Sequence, residues 1–514
     1  MKRLNVLLLM VGLFLSHSLK AQDGQNQLLY SNLAQQLVYT DNTGGASSTV
    51  LPSVALDNGL SSYIDNPASM ALINMSYFSS GLLTNISQFQ NTYLGQQNSF
   101  DNSNTLFGNI GLTYRVPTDR GSLVVGGGYT LTNQINRVNI VGGYNDESTI
   151  TDVFKREGSS YYDIAFETYA IDWGDVDQTY LESIFRIGFD ANSYPGIYQD
   201  AEVRQKGSLG EYSLFLATEF FRDFFFGVSA GVEYGNYKFS RDFLETDLDN
   251  QYNGDFIEAD AQGNGGTDIY DISLQDEINM EIIGANIKPG ILYRSLPFMN
   301  VGVSVKIPSK LTITEDYFSE IVTNFDDGRN PFYDNFESEF TYAIKRPFQW
   351  NFGVALDDIN GFSMSWALEI IDYTATEIDL VSKESGNLDF NDIVALREQQ
   401  DEFDRLIAEE YRTVYNVKMG AKYQTRTGYE LRTGFAFLPG KSTTYEADRY
   451  VISGGLGFPL TREWYLDITT QYTGWEDRSV IYEYNDPASG DIRNESIEES
   501  INQFNVLVGF KYRF

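Results

Sequence analysis

The chain has 514 residues, with 36 Lys+Arg against 71 Asp+Glu and a formal net charge of −35. It has no cysteine, and its one histidine is His17. Disulfides, thiol nucleophiles, zinc sites built on Cys or His and, past residue 17, imidazole bases are excluded, and the acidity repels nucleic acid.

The N-terminus comes first. Lys2 and Arg3 precede the apolar run Val6–Leu15, and Ser18-Leu19-Lys20-Ala21 ends on a small residue. This is the pattern of a signal peptide over residues 1–21, cleaved before Gln22. Ten apolar residues span about 15 Å as a helix, half of a hydrocarbon core. No later stretch is apolar enough for a transmembrane helix. A closed β-barrel remains open as a way across a membrane.

Residues 22–73 do not read as strands. They are rich in Gln, Asn, Ser and Gly and carry Asp57-Asn58 and Asn66-Pro67-Ala68. From residue 74 a two-residue period sets in. Ile283, Ala285, Ile287, Ile291 and Tyr293 share a face opposite Asn286, Lys288 and Gly290. Tyr415, Val417, Met419, Ala421 and Tyr423 oppose Asn416, Lys418 and Lys422. Phe504, Val506, Val508, Phe510, Tyr512 and Phe514 oppose Asn505, Gly509, Lys511 and Arg513. Side chains alternate across a strand, so each segment has an apolar and a polar face.

The pattern predicts fourteen strands: 74–91, 103–117, 121–137, 207–222, 223–240, 279–295, 297–316, 339–358, 361–381, 411–426, 428–439, 447–459, 462–484 and 501–514. Their connections alternate between tight turns and mostly long loops, such as 138–206, 241–278, 317–338 and 382–410. A soluble sandwich has no reason to segregate loop lengths, whereas an outer-membrane barrel does. The expected fold is all-β: a transmembrane antiparallel barrel of about fourteen strands over 74–514, with long extracellular loops. The aromatic content of 15% fits the girdles of such a wall. Acids concentrate in 138–206 and 241–278, and 390–410 reads as a helix folded against the barrel mouth. Asp249-x-Gln251-x-Asn253-Gly254 imitates a calcium loop, but its third and twelfth positions are wrong and no helices flank it, so no metal site is expected.

At Asn66-Pro67-Ala68, just before the first strand, the chain resembles the FadL-type outer-membrane transporters of long-chain fatty acids and other hydrophobic compounds. Val301–Pro308, Arg346-Pro347 before Trp350-Asn351-Phe352-Gly353, and Leu431–Phe437 are similar too. The resemblance implies that 22–73 forms a hatch plugging the barrel, with Asn66, Pro67 and Ala68 as its anchoring turn. It implies lateral exit at a kink in the third strand, where Gly126, Gly127 and Gly128 stand. A ligand carboxylate would need a lumen cation, and alternation offers Lys288, Lys418 and Lys422. No catalytic residue or cofactor is expected. The expected partners are hydrophobic small molecules, outer-membrane lipids and, during biogenesis, the barrel assembly machinery; the expected state is a monomer. The competing reading is a barrel that serves a protein partner or a secretion machinery.

Overall fold

The structure is a computed structural model that describes residues 51–60, 62–155, 161–174, 177–185, 187, 196–252, 268–307, 310–326, 328–381, 390–442, 447–485 and 492–514. Fourteen strands form one closed antiparallel barrel. The first six are β1 (Tyr77–Tyr93), β2 (Gln96–Val116), β3 (Leu123–Asn145), β4 (Ile197–Phe221), β5 (Phe224–Thr246) and β6 (Ile269–Leu296). The next two are interrupted. β7 runs Met299–Lys306 and resumes at Lys310–Phe325; β8 runs Phe332–Lys345 and resumes at Gln349–Ile359. β9 (Phe362–Asp372), β10 (Thr413–Gln424), β11 (Glu430–Leu438), β12 (Arg449–Pro459), β13 (Trp464–Asn485) and β14 (Ile492–Arg513) complete the wall. β14 pairs with β1 from Tyr77↔Arg513 to Thr92↔Glu498 and closes the ring. The strands and their order are those expected from the alternation.

The apolar face of each strand points outward. On β6, Ile283, Ala285, Ile287, Ile291 and Tyr293 are exposed while Asn286 and Lys288 are buried. Exposed Tyr212, Tyr234, Tyr415, Tyr450 and Tyr472 mark one edge of the outer band, and Phe220, Tyr293, Tyr423, Trp464 and Phe514 the other. About ten residues of tilted strand span a hydrocarbon core, and the band between these rings is that tall. No described helix is long and apolar enough to cross a membrane.

Several strands run well past the band. β4 begins at Ile197 rather than 207, and β6 at Ile269 rather than 279. Above the membrane, alternation loses its apolar outer face, so the sequence signal fades while the pairing continues. The connection expected between residues 91 and 103 is in fact a two-residue turn, Leu94-Gly95, with φ of 46° and 75°. Positive φ at both positions matches the twist of a tight hairpin.

The outer half of the lumen is packed. One cluster joins Tyr237, Phe239, Ile278, Met280, Ile282, Leu311 and Ile313 of β5 to β7 with Leu396, Phe403 and Ile407. The last three belong to the helix Phe390–Glu410, where the sequence places it. A second cluster joins Ile150, Phe154, Ile164 and Phe185, from the connection after β3, to Tyr93, Phe243, Leu274, Tyr482 and Ile497. That connection is tied down by charge: Arg241 meets Asp276 at 2.5 Å, and both touch the Tyr161 hydroxyl. The Tyr317 hydroxyl donates to Asp276 at 3.0 Å. Removing one partner of such a pair strands the other in a buried site, at about 3–5 kcal/mol. Asp276→Ala is therefore expected to lower the temperature at which the folded band disappears in heat-modifiability electrophoresis, with Asp276→Asn intermediate. An unchanged transition in both variants would refute this role.

Candidate functional site

Residues 51–60 and 62–73 lie inside the ring, nearly all of them buried. Asn66 has no exposed surface and holds this segment together. Its Nδ2 donates to the Val54 carbonyl at 2.7 Å and to the Ile291 carbonyl of β6 at 3.1 Å. Its Oδ1 accepts from the Ala68 amide at 3.0 Å, capping the short 3-10 helix Pro67–Leu72. Pro67 suits the first helical position, where an amide N–H would have no partner. Asn66, Pro67 and Ala68 thus sit together, facing the wall rather than open lumen.

The wall is cut to fit the segment. A Cβ on Gly290 would strike Asn66, and one on Gly302 the Val54 carbonyl. On Gly227 it would strike Pro67 and Ala68, on Gly353 Val54 at 2.6 Å, and on Gly111 Leu60 at 2.6 Å. Five strands, β2, β5, β6, β7 and β8, therefore give up side chains where the segment docks. Further hydrogen bonds come from Ser304 to the Asp65 carbonyl and from Ser365 to the Pro52 carbonyl at 2.7 Å. The Tyr63 ring stacks on Phe215 at 5.2 Å, and its hydroxyl meets that of Thr130 at 3.1 Å.

Around the docked segment runs a belt of buried ion pairs. Lys288 binds Glu211 at 2.7 Å, and Glu233 is held between Lys306 at 2.8 Å and Arg346. Lys418 meets Glu369 at 3.4 Å. Of the three lumen cations expected from alternation, Lys288 and Lys418 are therefore committed to acids. Lys422 instead lines a cavity of about 450 Å³ beside the segment, with Asp57, Lys511, Arg432 and Asp467. Sequence reasoning missed Glu211, Glu233, Lys306 and Arg346. Alternation places Glu233 and Lys306 inward, but only the fold brings them to one place. The sequence 249–260 that imitates a calcium loop falls mainly outside the described residues.

The wall is not zipped throughout. β2 pairs with β3 only from Asn109↔Thr130 to Val116↔Leu123. Above that point β2 stays with β1 and β3 with β4, each through a bulge: Gly108 is skipped in one register and Thr132 in the other. At the upper end Asn98 Nδ2 donates across to the Ile140 carbonyl at 3.3 Å. A slit thus separates the two strands. Its foot is apolar, with Leu83, Leu106, Leu131, Leu507 and Tyr129 in one cluster and outward-facing Phe107 beside it. Gly126, Gly127 and Gly128 lie just below, inside the paired region. A Cβ there would strike the carbonyls of Leu112, Ser213 and Ile110. They allow close strand approach beneath the slit, and the departures from pairing sit above them.

Among solved structures, the chain is similar to a Pseudomonas aeruginosa FadL homologue: 12% identity, TM-score 0.52, covering 93% of this chain and 99% of that one. It is also similar to the deltaS2 mutant of the TodX monoaromatic hydrocarbon channel: 12% identity, TM-score 0.50, covering 92% and 100%. The chain has the FadL-type barrel fold. No family model matches it, and no curated protein does. The FadL-type likeness is one of architecture, and at this identity it transfers no residue.

Two outcomes test the docking. Asn66→Ala takes their side-chain partner from the Val54 carbonyl and the Ala68 amide, each at about 1–3 kcal/mol. It should expose residues 51–73 to limited proteolysis while the barrel keeps its heat-modifiable mobility; an unchanged digest would exclude the anchor role. The second concerns acids on the segment. Burial pushes the Asp57 and Asp65 carboxyls above the usual carboxylate range, against the pull of Lys511 on the first and Lys418 on the second. A raised docked-state value means docking binds protons. Docking is then strongest below the free carboxylate range and weakens as pH rises through the docked values. Asp57→Asn with Asp65→Asn should therefore slow that proteolysis at pH 7. Faster cleavage would show that the lysine contacts outweigh burial.

Proposed function

We propose that the protein is an outer-membrane transporter for small hydrophobic compounds, long-chain fatty acids among them, with residues 22–73 as its hatch. The observation that carries this reading is the slit between β2 and β3, whose apolar foot lies against the lipid-facing band. A hydrophobic molecule gains about 25 cal/mol for each Å² it keeps out of water. Leaving through the foot of the slit, it passes from leucine to lipid without crossing the ion-pair belt below. The docked segment blocks the direct way down, and the apolar packing of the outer half offers surface for capture. The fold shared with a FadL homologue and with TodX supports the same reading. Asn66, Pro67 and Ala68 hold the hatch, and Gly126, Gly127 and Gly128 brace the wall under the exit. Lys422, which faces open space, is the best placed of the expected cations for a ligand carboxylate. Signal-directed export, assembly by the outer-membrane insertion machinery and a monomeric state belong to this reading.

A second reading rests on the ion-pair belt. A lumen crossed by Glu211–Lys288 and Glu233–Lys306–Arg346 suits a rigid scaffold that presents its outer loops to a protein partner. Two measurements separate them. Mass spectrometry of molecules co-purifying with the protein, beside uptake in a deletion strain, should reveal hydrophobic ligands under the first reading and none under the second. Cysteines at Asn104 and Ile135 flank the slit in a chain that has no others. Bridged by a bifunctional thiol reagent, they should cut hydrophobic uptake several-fold, and a cleavable bridge should restore it on reduction. Full uptake through a bridged slit would overturn the lateral route.

A further inference from the structure

The connection after β3 folds into the outer lumen as a small unit. Its described residues form the short helices Thr151–Phe154 and Tyr162–Glu167 and a strand pair, Ile171–Trp173 with Leu181–Ser183. Ile150, Phe154, Ile164 and Phe185 of this unit pack on Phe243 and Leu274 of the wall. The unit thus covers apolar surface in the outer half of the lumen.

Its first turn is fastened by one carboxyl group. Glu245 stands near the outer end of β5, well past Tyr234 at the edge of the band, and has no exposed surface. Its Oε1 accepts from the Ile150 amide at 2.8 Å and from Gln199 Nε2 at 2.7 Å. Its Oε2 meets the Thr149 hydroxyl at 2.5 Å. Gln199 is held in turn by the hydroxyls of Tyr93 at 2.6 Å and Tyr482 at 2.7 Å. Every one of these groups is neutral.

Elsewhere in the lumen buried acids are matched by cations: Asp276 by Arg241, Glu211 by Lys288 and Glu499 by Arg137. Glu245 makes no ion pair with any described residue. The charges that face it are mostly of its own sign. Asp152 of the first short helix is held by Lys155 at 2.6 Å and Ser183 at 2.8 Å. Glu495 of β14 accepts from Ser148 at 2.9 Å, and burial raises its carboxyl. Glu147 lies 3.8 Å from Arg493. The other ionisable neighbours are the Tyr93 and Tyr482 hydroxyls.

An ionised Glu245 is therefore a buried charge with no counter-charge, which is costly. Burial pushes its carboxyl up to about 7, against the pull of its hydrogen bonds. The site accepts the protonated form. The Thr149 hydroxyl can accept from a protonated Oε2 and still donate to Thr151 Oγ1 at 3.0 Å.

We propose that the connection after β3 is a proton-dependent lid, closed over the outer lumen when Glu245 is neutral and loosened when it is ionised. A value raised in the closed state means that closing takes up a proton. Closure is then strongest below the free carboxylate range and weakens as pH rises towards about 7. On the transporter reading, which this role in uptake rests on, the lid controls access to the apolar surface that captures a ligand.

The chain has no cysteine, and Ala165 on the second short helix is fully buried. The experiment is maleimide labelling of the purified full-length Ala165→Cys protein from pH 5 to 8. Each rate is divided by that of the unfolded protein at the same pH. The ratio should rise several-fold with pH. Glu245→Gln in the same chain should flatten the rise, because the amide keeps the Oε1 acceptor and offers Thr149 a donor. Heat-modifiable mobility checks folding, and Thr151→Cys is the reporter if Ala165→Cys fails to fold. A ratio that does not move with pH, or the same rise in folded Glu245→Gln protein, would overturn the proposal. The labelling needs no ligand, so its outcome is independent of what the barrel carries.

Discussion

A chain that crosses lipid as strands must satisfy its own backbone, because the hydrocarbon core offers no water to unpaired amides and carbonyls. That constraint forces the fourteen strands into a ring and explains the β14–β1 pairing, sixteen residue pairs long from Tyr77↔Arg513. It also makes any departure informative. The wall parts only where another pairing or a polar side chain compensates. β3 leaves β2 above Thr130, yet its own edge stays engaged with β4. Arg137 of β3 reaches Asp477 and Glu499 on β13 and β14 at 2.8 Å, and Asn139 meets Asn91 of β1. The upper part of β3 is thus held across the lumen while its border with β2 stays open.

Closing the ring creates a second problem, since a barrel of this size encloses space. The structure fills that space in two ways. Above, apolar loop residues and the helix Phe390–Glu410 pack against inward-facing side chains, as in a soluble core. Below, the N-terminal segment docks through polar contacts centred on Asn66 and an apolar cluster of Leu60, Tyr63 and Met70 with Val124, Phe215 and Leu292, against a wall stripped to glycine.

The wall was legible because its physics is local. A residue in lipid and its neighbour in the lumen differ in polarity, so Ile283 to Tyr293 announce both faces from sequence. The Asn-Pro-Ala turn was legible for the same reason, since Pro67 and a capping Asn act within four residues. The slit was not legible. Asn102, Asn104 and Leu106 alternate like any paired strand, and whether a neighbour sits within hydrogen-bond reach depends on bulges at Gly108 and Thr132 that leave no periodic mark. The lumen cations were half legible. Alternation turned Lys288, Lys418 and Lys422 inward, but their partners stand 77 residues away for Lys288 and Glu211 and 49 for Lys418 and Glu369.

Inward glycines divide the wall by what they face. Gly227, Gly290, Gly302 and Gly353 have the docked segment against them, and a methyl group on any of these would displace it. Gly81 and Gly509 have open space against them, and a methyl group there would be accommodated. From sequence the two sets read alike, as the small residues common in barrels. Their contrast fixes which side of the ring the docked segment leans on and which side it leaves open. The open side carries Leu83 and Leu507 just above those glycines, and Asn, Gln, Ser and Thr on the inward rows higher up. Those upper rows begin at the slit, whose border changes with height, leucine at the foot and amide above. The position of the docked segment therefore depends on one asymmetry, set by which strands carry glycine beneath it.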